Sequence, residues 1–145
     1  MLRSVTLADI SGTVAYPGPG DSKYTRGVVG LITGSDKYPG AAVLGVTAAA
    51  KAGAGYIRYM GTEYTQQLVL RSRPEPVMGI SPGSHIDAWV IGSGMADTGS
   101  ASVGEARHEM AEAVLDACAG AGGSGTGTSG YGVVDAGALP YFAQA

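Results

Sequence analysis

Cysteine is nearly absent from this chain of 145 residues, Cys118 being the only one, and histidine occurs twice, at His85 and His108. A disulfide framework is therefore excluded, and a structural zinc site, which draws four ligands from these residue types, is not expected. Positive charge is also scarce, with 9 Lys and Arg against 12 Asp and Glu and a net charge of -3. That balance does not neutralise a phosphate backbone, and the basic residues are not clustered, so nucleic acid is not an expected partner. Long apolar runs are missing. The longest uncharged apolar-leaning run, residues 38–50, is broken by Pro39, Gly40, Gly45 and Thr47 and is too short to cross ~30 Å of hydrocarbon. Asp9 interrupts any signal-peptide core, so the expectation is a soluble, cytoplasmic protein without a membrane partner. Two phosphate-binding signatures are lacking as well. Neither Lys37 nor Lys51 follows a glycine, which rules out a P-loop, and Gly53-Ala54-Gly55 precedes a strand pattern where a dinucleotide-binding fingerprint would precede a helix.

Glycine, by contrast, is abundant: 25 of 145 residues, about 17% where roughly 7% is usual. The surplus is uneven. Residues 119–132 (AGAGGSGTGTSGYG) hold seven glycines and no charge, the composition of a flexible loop. Elsewhere glycines stand at the ends of periodic segments as turn and helix-stop residues. With 45% hydrophobic residues the chain has the apolar supply of one ordinary domain, and at this length roughly 70% of the unfolded surface is buried on folding.

The periodic segments alternate between two kinds. Residues 28–32, 56–60, 77–80, 88–91 and 131–134 are short and rich in β-branched or aromatic residues, and read as strands. Residues 41–52 are good helix formers stopped by Gly53 and Gly55, and residues 63–70 form a second helix with Thr62 as N-cap. Residues 101–119 carry the clearest helical stripe, with Val103, Ala106, Met110, Val114 and Cys118 on one face. The alternation predicts an α/β domain of three layers around a mainly parallel sheet, with Trp89 in its core.

In such sheets ligands bind beyond the carboxyl ends of the strands. Three segments there combine small residues with backbone N–H groups: residues 33–40, 92–95 and 135–139. Spacing alone leaves two readings open, ordinary βα turns or anion-binding turns. Lys23 and Arg26, just before the first strand, are candidates to reach a nucleotide phosphate or are solvated loop charges. Asp135 is either a ligand to nucleotide or metal or a helix N-cap. His85 and His108 read as exposed residues without a site.

Four stretches in order, DSKYTRGVVGLITGSDKYPGAAVLGVTAAAKAGAGYIRYMG (residues 21–61), RPEPVM (73–78), DAWVIGSGM (87–95) and VVDAGAL (133–139), resemble the ADP/ATP-dependent NAD(P)H-hydrate dehydratases. These are lyases of metabolite repair with a ribokinase-like fold. The resemblance implies that Tyr38, Gly40, Ala41, Gly92 and Gly94 line a site for hydrated NADH or NADPH, that Lys23, Arg26 and Asp135 attend the nucleotide or its phosphates, and that ADP or ATP with Mg2+ takes part. No separate protein metal site is implied. A bulky residue at Gly94 is expected to weaken binding and leave the fold intact. Ser22, Ser93 and Gly137 stand where the family commonly has His, Pro and Asp. Members of the family continue for about as many residues again, with a T-P-H-P-G-E segment and a G-T-G-D motif whose Asp is the expected catalytic residue. Gly125-Thr126-Gly127-Thr128 precedes the D-A-x-A-L segment and has Thr in place of that acid, so it is not that motif. The expectation is the N-terminal part of one ribokinase-like domain, inactive alone and partnered by a C-terminal half or by further copies of itself. Two other readings are a non-catalytic nucleotide-binding or assembly module and a sugar-type kinase of the same fold.

Overall fold

The computed structural model describes residues 4–13, 16–81, 84–95 and 131–139. Its elements are α1 (Leu7–Ile10), β1 (Val28–Ile32), α2 (Pro39–Lys51), β2 (Tyr56–Tyr59), α3 (Glu63–Ser72), β3 (Val77–Met78), β4 (Ala88–Ile91) and β5 (Tyr131–Val134), followed by a 3-10 turn at Ala136–Ala138. The five strands form one parallel sheet in the order β3-β2-β1-β4-β5. The predicted α/β class and parallel sheet are thus present. The helix read over residues 101–119 lies outside the described residues, as do residues 119–130 of the glycine-rich stretch, while Tyr131 and Gly132 belong to β5.

Alternation along the strands builds two cores. On one face Leu31, Ile57 and Tyr59 pack beneath α2 and α3 through Ala42, Val46 and Val69. On the other, Val28 and Ile32 join Ile86, Trp89 and Ile91. Gly30 makes room for Trp89, since a Cβ there would lie 2.6 Å from the indole ring.

Local chemistry sets the ends of the elements. Pro39 occupies the first turn of α2, where its missing N–H costs nothing and its fixed φ suits a helix, so α2 starts two residues ahead of its sequence-predicted start. Gly53, at φ 93°, stops it. Thr62 caps α3 as expected, its hydroxyl accepting from the Thr65 N–H. β3 ends at Met78, short of the predicted residue 80, because Gly79 turns the chain at φ 75°. α1 was not anticipated, and it begins where the Asp9 carboxylate accepts the Thr6 N–H at 2.8 Å.

Candidate active site

β1 has β2 on one side and β4 on the other, so the direction of winding reverses between β1 and β4. The crevice beyond the carboxyl ends of those two strands is where open parallel sheets hold ligands. After β1 the chain passes through Thr33, Gly34 and Ser35, all buried, and closes a turn in which Ser35 and Tyr38 exchange backbone hydrogen bonds. α2 then begins with Tyr38 as N-cap and no side-chain cap. Pro39 has no N–H and the Ala41 N–H donates to the Tyr38 carbonyl at 3.3 Å, so at the positive end of α2 it is the Gly40 N–H that has no acceptor among the described residues and is presented at the crevice, an arrangement that attracts anions. Gly40 is exposed, and a Cβ there would meet nothing within 4 Å.

The turn after β4 is fitted tightly to this one. The Gly34 N–H donates to the Ser93 carbonyl at 2.7 Å. Gly94, at φ 69°, is so close to α2 that a Cβ would lie 2.4 Å from the Cβ of Ala41 and 3.2 Å from the carbonyl oxygen of Tyr38. Gly92, at φ 112°, leaves no room for any side chain against the Asp135 carbonyl. The turn after β5 thereby joins the other two, and Gly137 packs on the Met95 carbonyl in the same way. Tyr38, Gly40, Ala41, Gly92, Gly94 and Asp135 are brought together at one end of the sheet.

This packing corrects one expectation. Gly94 is not a position where a bulky residue leaves the fold intact, because its left-handed φ and its contact with Ala41 both exclude a side chain. Gly40 is the glycine that tolerates substitution.

Two carboxylates stand at this end. The Asp36 Oδ1 accepts from the Thr62 hydroxyl at 2.5 Å, which ties the crevice turn to the cap of α3. Asp135 occupies the N-cap position of the 3-10 turn without capping it, and its carboxylate is exposed beside Ala136, whose φ of 43° is unusual for a residue with a side chain. Asp36 was not singled out from the sequence. Its place in a T-G-S-D turn between strand and helix was the available signal.

Lys23 and Arg26 are not brought to the crevice. They lie at the amino ends of the strands, where a Cβ on Gly55 would lie 2.4 Å from the Lys23 carbonyl and where Val28 pairs with Tyr56. The length of β1, about 16 Å, separates them from the carboxyl end. Lys23 Nζ rests over the rings of Tyr24 and Tyr56 at 5.0 and 4.7 Å. Arg26 donates to the Gly53 carbonyl at 3.0 Å. At the same end, Asp87 accepts the Val28 N–H at 2.7 Å and meets His85 Nε2 at 2.6 Å. The Val28 N–H holds the Asp87 carboxyl below the usual carboxylate range; burial opposes this, and the His85 hydrogen bond and charge assist it.

Among the described residues no three His, Cys, Asp or Glu side chains come together as a metal cage. Nor is any described helix long and apolar enough to cross a membrane.

Residues 29–144 match the family model of NAD(P)H-hydrate dehydratase. The chain belongs to this family. Over 96 residues it is 41% identical to the bifunctional NAD(P)H-hydrate repair enzyme Nnr of Mycobacterium leprae, and over 89 residues 43% identical to that of Mycobacterium tuberculosis. The matched segments take up 65% and 60% of this chain but only 20% and 18% of those proteins. Among solved structures, the ADP/ATP-dependent NAD(P)H-hydrate dehydratase of Bacillus subtilis, co-crystallised with ATP and Mg2+, superposes with a TM-score of 0.71 at 24% identity, covering 92% of this chain and 46% of that one. A ribokinase-like superfamily protein of Enterococcus faecalis gives a TM-score of 0.65 at 18% identity, over 90% of this chain and 44% of the other. At these identities the structural matches establish the ribokinase-like fold, of which this family member spans just under half.

Proposed function

We propose that the chain supplies the substrate-facing part of a nucleotide-dependent site for dehydrating hydrated NADH or NADPH. One observation carries this reading: in a chain of this family, the uncapped N-terminus of α2 opens at the switch point of the sheet, beside the turns holding Gly94 and Asp135. ADP or ATP supplies the phosphoryl group that turns the ring hydroxyl of the hydrated cofactor into a leaving group, after which phosphate and a ring proton depart and the double bond is restored.

The residues here bind and orient. The Gly40 N–H in the first turn of α2 faces an anionic oxygen, and the bare backbone there allows the ligand to approach closely. Packing of Gly94 on Ala41 holds the two turns in fixed relation. Magnesium carried on a nucleotide needs only one or two protein carboxylates, which suits the exposed Asp135. The base that takes the hydroxyl proton comes from the remainder of the family domain, because Asp36 is engaged by Thr62 and Asp135 alone cannot serve both the metal and the proton.

The test is turnover of hydrated NADH with ADP or ATP and magnesium, by the chain alone and by the chain joined to the C-terminal part of the Mycobacterium leprae repair enzyme. The joined protein is expected to turn over and the chain alone is not. Turnover by the isolated 145 residues, or none by the folded joined protein, would overturn the reading.

A further inference from the structure

The strand order β3-β2-β1-β4-β5 is one in which open parallel sheets hold dinucleotides, with the pyrophosphate at the helix after β1 and a nucleoside over the strands on either side. Here that helix is α2, and its Gly40 N–H marks the anion position. The reacting ring belongs on the β4 side, beside Gly94 and the exposed Asp135. The β2 side is left for the adenosine half.

Asp36 reaches that side. It belongs to the turn between β1 and α2, yet its Oδ1 accepts from the Thr62 hydroxyl at 2.5 Å, and Thr62 stands three residues beyond the end of β2 at Tyr59. The carboxylate is thereby carried to the carboxyl end of β2. Asp36 is exposed, its Oδ2 accepts from no described group, and no described Lys or Arg pairs with it. Its neighbour Lys37 rests over the ring of Tyr38 at 5.3 Å. Dinucleotide-binding sheets use an acidic side chain beyond the second strand to accept from the adenosine ribose, and an Arg where the 2′ position carries a phosphate.

We infer that Asp36 selects hydrated NADH over hydrated NADPH, its Oδ2 accepting from the ribose 2′-hydroxyl and its charge repelling a phosphate at that position. The inference rests on the functional reading above and deepens it by naming which of the two cofactors the site prefers. Thr62 is the positioning residue, holding the carboxylate on the β2 side. Asp36 thus reads the ribose and takes no part in the chemistry at the ring.

The test compares the two hydrated cofactors as substrates of the joined protein and as ligands of both the joined protein and the 145-residue chain. Hydrated NADH is expected to be favoured about tenfold or more in kcat/KM and in Kd, because like charges set against each other across a binding surface are strongly disfavoured. Asp36→Asn keeps an acceptor for Thr62 and removes the charge. The preference is expected to fall about tenfold, chiefly through KM, as for a contact made equally in ground and transition states. Thr62→Val releases the carboxylate and should lower the preference, and Thr62→Ser should restore it; a loss of helix stability alone would affect both cofactors alike. Glu63→Gln is the control. It removes a charge of the same sign one residue further on, in the groove lined by Gln67 and Arg71, and should leave the preference within about twofold, since solvent screens a charge that makes no contact. No preference for hydrated NADH, a preference unmoved by Asp36→Asn or Thr62→Val, an equal effect of Glu63→Gln, or no binding of either cofactor by chain or joined protein would overturn the inference. A joined protein that binds with this preference but does not turn over overturns the functional reading alone. One that dehydrates both cofactors equally well overturns the inference alone.

Discussion

Gly94 and Ala41 meet with no space for one further carbon atom: a Cβ on the glycine would lie 2.4 Å from the Cβ of the alanine. Gly94→Ala therefore adds a left-handed alanine to an overpacked contact, and a loss of about 2–4 kcal/mol is expected. Thermal unfolding should fall by roughly 10 °C. Ala41→Gly in the same chain removes the overlap but not the backbone strain, so the double variant should recover part of the loss. Full recovery would show that only the overlap mattered, and no recovery would show that the two residues are not in contact.

Gly40 offers the opposite case, since its Cβ position is open. Gly40→Asp puts a negative charge on the first turn of α2, which favours the helix by about 0.3–1 kcal/mol. The same charge repels an anionic ligand. Unfolding and nucleotide or substrate binding, measured together on the joined protein, are expected to move in opposite directions: higher stability with weaker binding. Unchanged affinity would remove this turn from the site.

Asp87 links stability to pH. Its folded pKa lies below the unfolded value near 3.8, chiefly because its carboxylate accepts the Val28 N–H. The resulting stabilisation is present above the unfolded value and is lost as the pH falls through the folded one. A series of denaturation midpoints from pH 6 down to pH 2 should decline in acid. Asp87→Asn should lower the midpoint at pH 6 and flatten that decline; an unaltered acid slope would place the linkage elsewhere.

Thr33 and Tyr59 make a contrasting pair beneath α2. The buried Tyr59 hydroxyl donates to the Thr33 carbonyl at 2.7 Å, whereas the Thr33 hydroxyl is buried and has no hydrogen-bond partner among the described residues. Tyr59→Phe is expected to cost about 1–2 kcal/mol, and Thr33→Val, which removes an unsatisfied group at equal size, to be neutral or stabilising. Urea unfolding of both variants checks the signs. A destabilised Thr33→Val would mean that its hydroxyl is in fact satisfied.

Much of the fold was legible because its signals are local. The apolar run VVGLI, the helix formers after Pro39 and the Thr62 cap each specify their own element, and the strands and α2 and α3 fall where these patterns put them, apart from shifts at the ends. Strand order was not legible. Nothing in the alternation says that β4 crosses β2 to lie against β1; that pairing comes from side chains distant in sequence, such as Trp89 over Gly30 and the Asp87 carboxylate on the Val28 N–H. The crevice was legible in part for the same reason. Glycines after strands marked Gly92 and Gly94 as turn residues, but whether they open a space or fill one depends on Ala41 and Asp135, which only the folded chain brings to them.

The central position of β1 bears on how the chain assembles. Among the described strands β1 is made first, yet its two neighbours, pairing through Tyr56 and Ala88, come progressively later. One flank of β1 stays open until β4 is made, and every pairing in the sheet bridges a long stretch of chain. Such non-local closure makes folding slow. The nascent chain accordingly exposes its most apolar strand for longest, a kinetic burden set by topology that no surface substitution relieves.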